Sequence, residues 1–202
     1  MDSNTRLKKQ MQFALEMDKE KGIGRQTYVL SALNALRKEN DAEHGWHLAV
    51  MVMLLSEYAN EKIDVSRTVE MVIIHDVVEI DAGDTYAYDD AGNATKAERE
   101  QKAAERIFGM LPKDQAEYFM NLWLEFEEAK TPEAKFATAI DSVQPLMLND
   151  ASNGLAWREH GVAASKVKER AERKVRPGSE RLYEMVFDMI NENVKKGNLK
   201  DM

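Results

Sequence analysis

The chain has no cysteine, and this one absence removes disulfides, thiolate zinc sites and cysteine nucleophiles together. No apolar stretch reaches the roughly 18–20 residues that a membrane span needs. The first ten residues, MDSNTRLKKQ, lack a secretory hydrophobic region, so a cytoplasmic protein without a membrane partner is expected. Positive charge is also in deficit. A formal net charge of −8 argues against a broad nucleic-acid footprint, though it leaves room for a small phosphorylated substrate at a locally cationic site. Histidine is scarce too, at four residues, so each one counts. What is present is ordinary for a folded domain: 202 residues, 44% hydrophobic and 32% charged, enough for one well-buried core over residues 1–202 and too apolar for disorder. There is no internal repeat, low-complexity tract or long linker.

Nearly every segment carries helical period, and no run alternates like a strand, so the expected class is all-α, a single compact helical domain. One apolar-rich helix spans about Glu43 to Tyr58 and a second about Ser66 to Ile80, stopping at Asp81-Ala82-Gly83-Asp84. The polar stretch Thr85 to Asn93 reads as a loop. Thr95 and Glu98 have capping-box spacing for a helix ending near Gly109. Another helix spans about Gln115 to Ala129, and Thr131-Pro132-Glu133 is a further start signal. The last helices are expected at about Ala163 to Lys174 and Ser179 to Lys196.

The chemistry concentrates at His75-Asp76, which closes the apolar run Met71-Val72-Ile73-Ile74. Charged groups in such surroundings are rarely buried without a partner. A buried ion pair explains the dipeptide; so does a divalent cation, with His44 upstream and Asp141 downstream as further ligands. Glu79 lies three residues beyond Asp76 and four beyond His75, on the same helical face. Asp84 follows Gly83, where the backbone can turn sharply. Pro145, four residues after Asp141, has no N–H for that carbonyl, so the helix should kink or end there. His44 and His47 share a face, but His47 reads as a hydrogen-bonded core histidine and His160 as structural.

The order His44, His75-Asp76, Asp141 on successive helices resembles the HD-domain metal-dependent phosphohydrolases, and most closely their bacterial 5′-deoxynucleotidase-like branch. In that branch the first histidine lies in an Asn-x-x-Glu-His stretch, as Asn40 to His44 does, and His-Asp-x-x-Glu is followed by Gly-Asp, as His75 to Glu79 and Gly83-Asp84 are. The likeness continues through Lys96 and Glu100, Asp141 to Gln144 and Asn153 to Trp157, covering most of the chain.

This resemblance implies an HD-domain fold with His44, His75, Asp76 and Asp141 as metal ligands, and Glu79 and Asp84 as the acidic residues beside the metal-bound water and substrate. Two neutral imidazoles and two carboxylates leave a divalent ion about formally neutral; such an ion lowers the pKa of its water and polarises a phosphoryl group. Which of Glu79 and Asp84 is base and which acid stays open. A phosphate dianion then needs cations, and Arg25, Arg37 and Lys96 are the choices. Where the resembled enzymes carry an Arg-Trp pair, this chain has Arg25-Gln26 at a different spacing, with Tyr28 as a stacking partner. Two-metal relatives spend more histidines than are available here, so one divalent ion is expected: manganese, cobalt, iron, zinc or magnesium.

The implied activity is phosphate release from (deoxy)nucleoside 5′-monophosphates by a homodimer. Hydrolysis of another phosphorylated metabolite or a nucleoside triphosphate, or nucleotide binding by a non-catalytic metal-containing module, are the alternatives.

Overall fold

The computed structural model describes residues 2–200. Helix α1 (Ser3–Met17) is capped by Asp2, whose carboxylate accepts from the Asn4 and Thr5 amides. A 3-10 turn then leads into an antiparallel hairpin of β1 (Gly24–Tyr28) and β2 (Lys38–Asn40), with Gly24 opposite Asn40 and Tyr28 opposite Lys38. The rest is helical: α2 (Asp41–Leu55), α3 (Val65–Ile74), α4 (Glu79–Ala82), α5 (Asp90–Phe108), α6 (Lys113–Glu128), α7 (Pro132–Ala151), α8 (Leu155–His160), α9 (Ala164–Lys174) and α10 (Glu180–Lys195). The expected all-α class holds apart from the hairpin. Its strands of five and three residues are too short for a period of two to show in sequence.

Helix α7 is the axis of the domain. It is buried along several faces, through Phe136, Ala137, Ile140, Val143 and Leu146, and packs against α2, α3, α6, α9, α10 and β1. A helix apolar on more than one stripe belongs inside a bundle rather than on its surface. Leu48, Val52, Met71, Val72, Leu122, Trp157 and Ile190 close the core around it, and the Leu182, Val186 and Ile190 stripe of α10 faces inward. Among the described residues no helix is long and apolar enough to cross a membrane.

Three boundaries differ from expectation, each for a local reason. The second apolar helix stops at Ile74 instead of running to Ile80. The His75 ring takes the Val72 carbonyl at 2.9 Å, and the backbone beyond tightens to i→i+3 bonds such as Glu79 to Asp76 at 2.8 Å. Helix α5 starts a turn early, because Asp89 caps it through the Ala91 and Gly92 amides; Thr95 is interior and Glu98 pairs with Lys102. Helix α7 runs past Pro145 to Ala151, with the side-chain amide of Asn149 donating to the Pro145 carbonyl at 2.9 Å. The Thr131-Pro132 start signal holds, and the structure adds a cap that was not expected. Thr131 caps α7 with Pro132 in its first turn, and Asn40 and Glu43 form a reciprocal capping box on α2.

Gly178, between α9 and α10, presses on α7. An added Cβ would lie 2.2 Å from the Lys135 carbonyl oxygen and 2.8 Å from the Ala139 methyl. Gly178→Ala is expected to destabilise by about 1–3 kcal/mol. Calorimetry should then show a melting temperature lower by about 3–10 °C; an unchanged one would contradict this packing.

Candidate metal centre and cleft

Four side chains from three sequence-distant segments meet where α2, α3 and α7 pack together. His44 is fully buried in the first turns of α2, His75 and Asp76 follow the end of α3, and Asp141 comes from the middle of α7. The Nε2 of His44 lies 3.1 Å from Asp141 Oδ1 and 3.9 Å from Asp76 Oδ2. The Nε2 of His75 lies 3.1 Å from Asp76 Oδ1 and 3.6 Å from Asp141 Oδ1. Because a carbonyl can only accept, the His75 Nδ1 must be the protonated nitrogen that donates to Val72. Its Nε2 is thereby turned toward the carboxylates as a ligand atom.

The arrangement fits a divalent ion. The His75 Nε2 is buried with no hydrogen-bond partner, and donor atoms of His44, His75 and Asp141 lie within 4.8 Å of one another. The electrostatics agree. Burial opposes charge on His75, yet Asp76 and then Asp141 raise its pKa well above the ordinary imidazole value. Burial likewise opposes ionisation of Asp141, but the neighbouring His44 and His75 rings hold it well below the usual carboxylate range. A pocket that draws protons onto its imidazoles and keeps its carboxylates ionised is one that attracts positive charge.

A second set of acids adjoins the first. Asp41, Asp76 and Glu79 converge, and the Arg25 guanidinium from β1 lies among the acids, 2.6 Å from Asp76 and 3.1 Å from Asp41. Burial, then Asp76, Asp41 and Asp84, push Glu79 up to about 10. Burial and Asp76 push Asp41 up to about 7 against the pull of Arg25. Glu20, in the turn after α1, rises to about 7 for the same reasons, burial first and then Asp76 and Asp41. Asp84 follows Gly83, whose φ of 74° and ψ of 145° suit glycine alone, and burial raises it too, with Arg25 opposing.

The centre lies in a cleft of about 370 Å³ that Arg25, Glu79, Asp84 and Lys96 also line. Lys96 pairs with Glu100 at 3.3 Å; burial works against its charge, but Glu100 and Asp76 hold its pKa at about 12. Arg37 is a correction. It is not among the cleft residues, and its fork is taken by Glu43 at 2.9 and 3.0 Å, which ties it to the cap of α2. Tyr28 is another: it is buried outside the cleft, with its hydroxyl on Glu159 at 3.0 Å. The aromatic rings that do line the cleft include Tyr86 and Tyr88, packed edge to face at 5.4 Å. His47 stays apart, half-buried and 3.2 Å from Gln144, and His160 contacts Gln26 at 3.2 Å.

Sequence reasoning missed Glu39, Asp41, Glu20, the two tyrosines and the basic residues of α9. Glu39 is buried behind the centre. Its carboxylate lies 3.5 Å from His44 Nδ1, too long for a well-formed hydrogen bond, and accepts from the Gln144 amide at 3.0 Å. Its one available signal was adjacency to Asn40; nothing in spacing separates it from the other acids among 36.

The HD-domain family pattern matches residues 17–183, most of the chain, and the chain belongs to this family. A solved structure described as a predicted metal-dependent phosphohydrolase from Magnetospirillum magnetotacticum MS-1 superposes with a TM-score of 0.90 at 46% identity, covering 96% of both chains. Human 5′-deoxynucleotidase HDDC2 is 29% identical over 114 residues, 56% of this chain and 54% of that protein. The Schizosaccharomyces pombe 5′-deoxynucleotidase hdd1 is 30% identical over 112 residues, 54% of this chain and 55% of its own. The chain thus spans about half the length of the curated relatives it matches.

Glu39 faces the Nδ1 side of His44, and groups that support a ligating ring from that side are typically worth about 10–100-fold in metal affinity. Glu39→Gln is therefore expected to weaken Mn²⁺ or Co²⁺ binding by about that factor in calorimetric titration. Wild-type affinity in the variant would remove Glu39 from the centre.

Proposed function

We propose that this protein is a metal-dependent phosphomonoesterase that releases phosphate from nucleoside 5′-monophosphates, with deoxynucleotides preferred. The observation that carries this reading is the convergence of His44, His75, Asp76 and Asp141 to donor separations of 3.1–3.9 Å beside Glu79 and Asp84. The deoxy preference draws its support from the 5′-deoxynucleotidase names of the human and fission-yeast relatives.

His44, His75, Asp76 and Asp141 would hold the ion, which when bound supplies Lewis-acid polarisation of the phosphoryl group and a water of lowered pKa. The remaining work falls to the chain. Water adds to phosphorus, the bond from phosphorus to the 5′-oxygen breaks, one proton leaves the water and one reaches the departing oxygen. Glu79 and Asp84 divide these two transfers between them, lying on the cleft wall next to the ligands. Arg25 fixes the orientation of Asp76 and Asp41, and Lys96 contributes positive charge to the cleft. Tyr86 and Tyr88 offer apolar faces to a sugar or base.

Phosphate release from ribo- and deoxynucleoside 5′-monophosphates with Mn²⁺ or Co²⁺ is the direct test. Turnover should favour the deoxy series and vanish in His75→Ala. Glu79→Gln should lower kcat by about 10²–10⁴-fold while metal content is unchanged. No metal-dependent release from any monophosphate would overturn the reading.

A homodimer is part of the same proposal. Trp46, Met53 and Leu54 recur at i, i+7 and i+8 on the outer face of α2 and are all exposed, an apolar surface that a second copy would cover. Sedimentation equilibrium should then give twice the 23.0 kDa chain mass, with Trp46→Glu shifting it to one; a monomeric wild type would end this part of the proposal.

A further inference from the structure

Most of the positive charge near the metal centre is already committed. Arg25 bridges Asp76 and Asp41, Lys96 is paired with Glu100, and Arg37 is outside the cleft. One wall is different. Arg170, Arg173 and Lys174 of α9 all line the cleft, at i, i+3 and i+4, the spacing that places side chains on one helical face. Helix α9 packs on α7, which carries Asp141, and Arg170 reaches to 3.9 Å from the Asp141 Oδ2. Neither the Arg173 nor the Lys174 side chain has a hydrogen bond or an ion pair within 4.0 Å among the described residues, and Lys174 is half-buried. Burial, and then the neighbouring Arg170, depress the Lys174 pKa, with Asp141 and Glu127 opposing.

Simple charge counting indicates what would satisfy this wall. The ligand set plus a divalent ion is about neutral, so it leaves a bound phosphate dianion unmatched. The α9 wall carries three positive charges, and Glu127, on the same cleft, offsets one. This wall is left net positive, the sign that a phosphate dianion requires. Basic residues in the last turn of a helix also complement its dipole, which is a purely structural use for Arg173 and Lys174. That use does not call for lining a cleft, nor for a third cation one turn earlier beside a metal ligand.

We infer that Arg170, Arg173 and Lys174 form the seat that receives the phosphate of the substrate as a dianion, and so select phosphomonoesters over singly charged phosphodiesters. The inference rests on the phosphomonoesterase reading for its substrate. Its core claim, a dianion seat on α9, is tested by binding alone. Arg170 and Lys174 supply charge-assisted hydrogen bonds to the non-bridging oxygens, and Arg173, more exposed, adds charge at the rim.

The experiment is calorimetric titration of inorganic phosphate into the full-length, Mn²⁺-loaded protein, for wild type, Arg170→Met, Arg173→Gln, Lys174→Met and Lys174→Arg. Lys113→Met, exposed and outside the cleft, controls for net charge. Metal content and melting temperature are recorded for each. Arg170→Met and Lys174→Met should each raise the phosphate Kd about tenfold or more, Arg173→Gln by less. Lys174→Arg and Lys113→Met should stay within about threefold of wild type.

Phosphate affinity within twofold of wild type in both Arg170→Met and Lys174→Met, with metal retained, would overturn the seat, as would an equal loss in Lys113→Met. A shift in melting temperature with phosphate affinity intact would return these residues to a structural role. The two readings fail separately. A wild type that hydrolyses monophosphates while the variants keep affinity sinks only the α9 seat. A wild type without turnover whose variants still lose phosphate sinks only the hydrolytic reading.

Discussion

Everything in this molecule depends on holding several like charges together in a place that water scarcely reaches. Asp141 groups with two imidazoles, and Asp41, Asp76 and Glu79 form a second group, with Asp76 Oδ1 3.1 Å from the His75 Nε2 joining the two. Carboxylates brought together in the interior repel one another and lose hydration, a cost of several kcal/mol per ion unless a cation offsets it. Arg25 offsets part by bridging two of the acids, and the donor set around His44 and His75 fits a divalent ion that would offset the rest. The fold is the frame that makes this crowding possible. Helix α7, buried along several faces, fixes Asp141, and α2 and α3 pack closely to set the two rings 5.7 Å apart.

The same constraint explains the irregular segment after α3. A regular helix through residues 75–80 would keep the Val72 carbonyl in its ladder. The His75 ring takes that carbonyl instead, and the turn that follows carries Asp76 and Glu79 into the cleft. Local order is exchanged for ligand orientation, and apolar neighbours such as Val77 and Val78, almost fully buried, anchor the exchange. The cap of α2 plays a matching part. Asn40 and Glu43 fix the first turn that presents His44, so a pattern that looks chemical in sequence acts by fixing the backbone.

Around this centre the cleft divides its labour by charge. Acids gather toward β1 and α4, where Arg25 answers them; Arg170, Arg173 and Lys174 gather on α9, which packs on α7; tyrosines from the connection before α5 supply apolar surface. A net charge of −8 does not preclude locally positive surface such as the α9 wall, because field at a few ångströms is set by the nearest groups and not by the total.

The helical class was legible without coordinates, and so was the candidacy of the four side chains that meet at the centre and of the two acids beside them, because residue type, order along the chain and the family likeness these carry all point to them. An apolar run interrupted by His75-Asp76, followed by Glu79 and Gly83-Asp84, keeps its meaning however the chain is folded. The cations were not legible. Arg37 and Arg170 are the same residue type among 28 basic residues, and only packing sends one to the cap of α2 and the other to the side of Asp141. Glu39 and the short hairpin were hidden for a related reason: a three-residue strand has no period to read, and a carboxylate's worth depends on what is buried beside it. Sequence determines which groups can do chemistry, through their types and local spacing. Tertiary structure decides which of these charges are already neutralised at the centre, because pairs such as Arg25 with Asp76 and Arg170 with Asp141 join residues that are distant along the chain and adjacent in space.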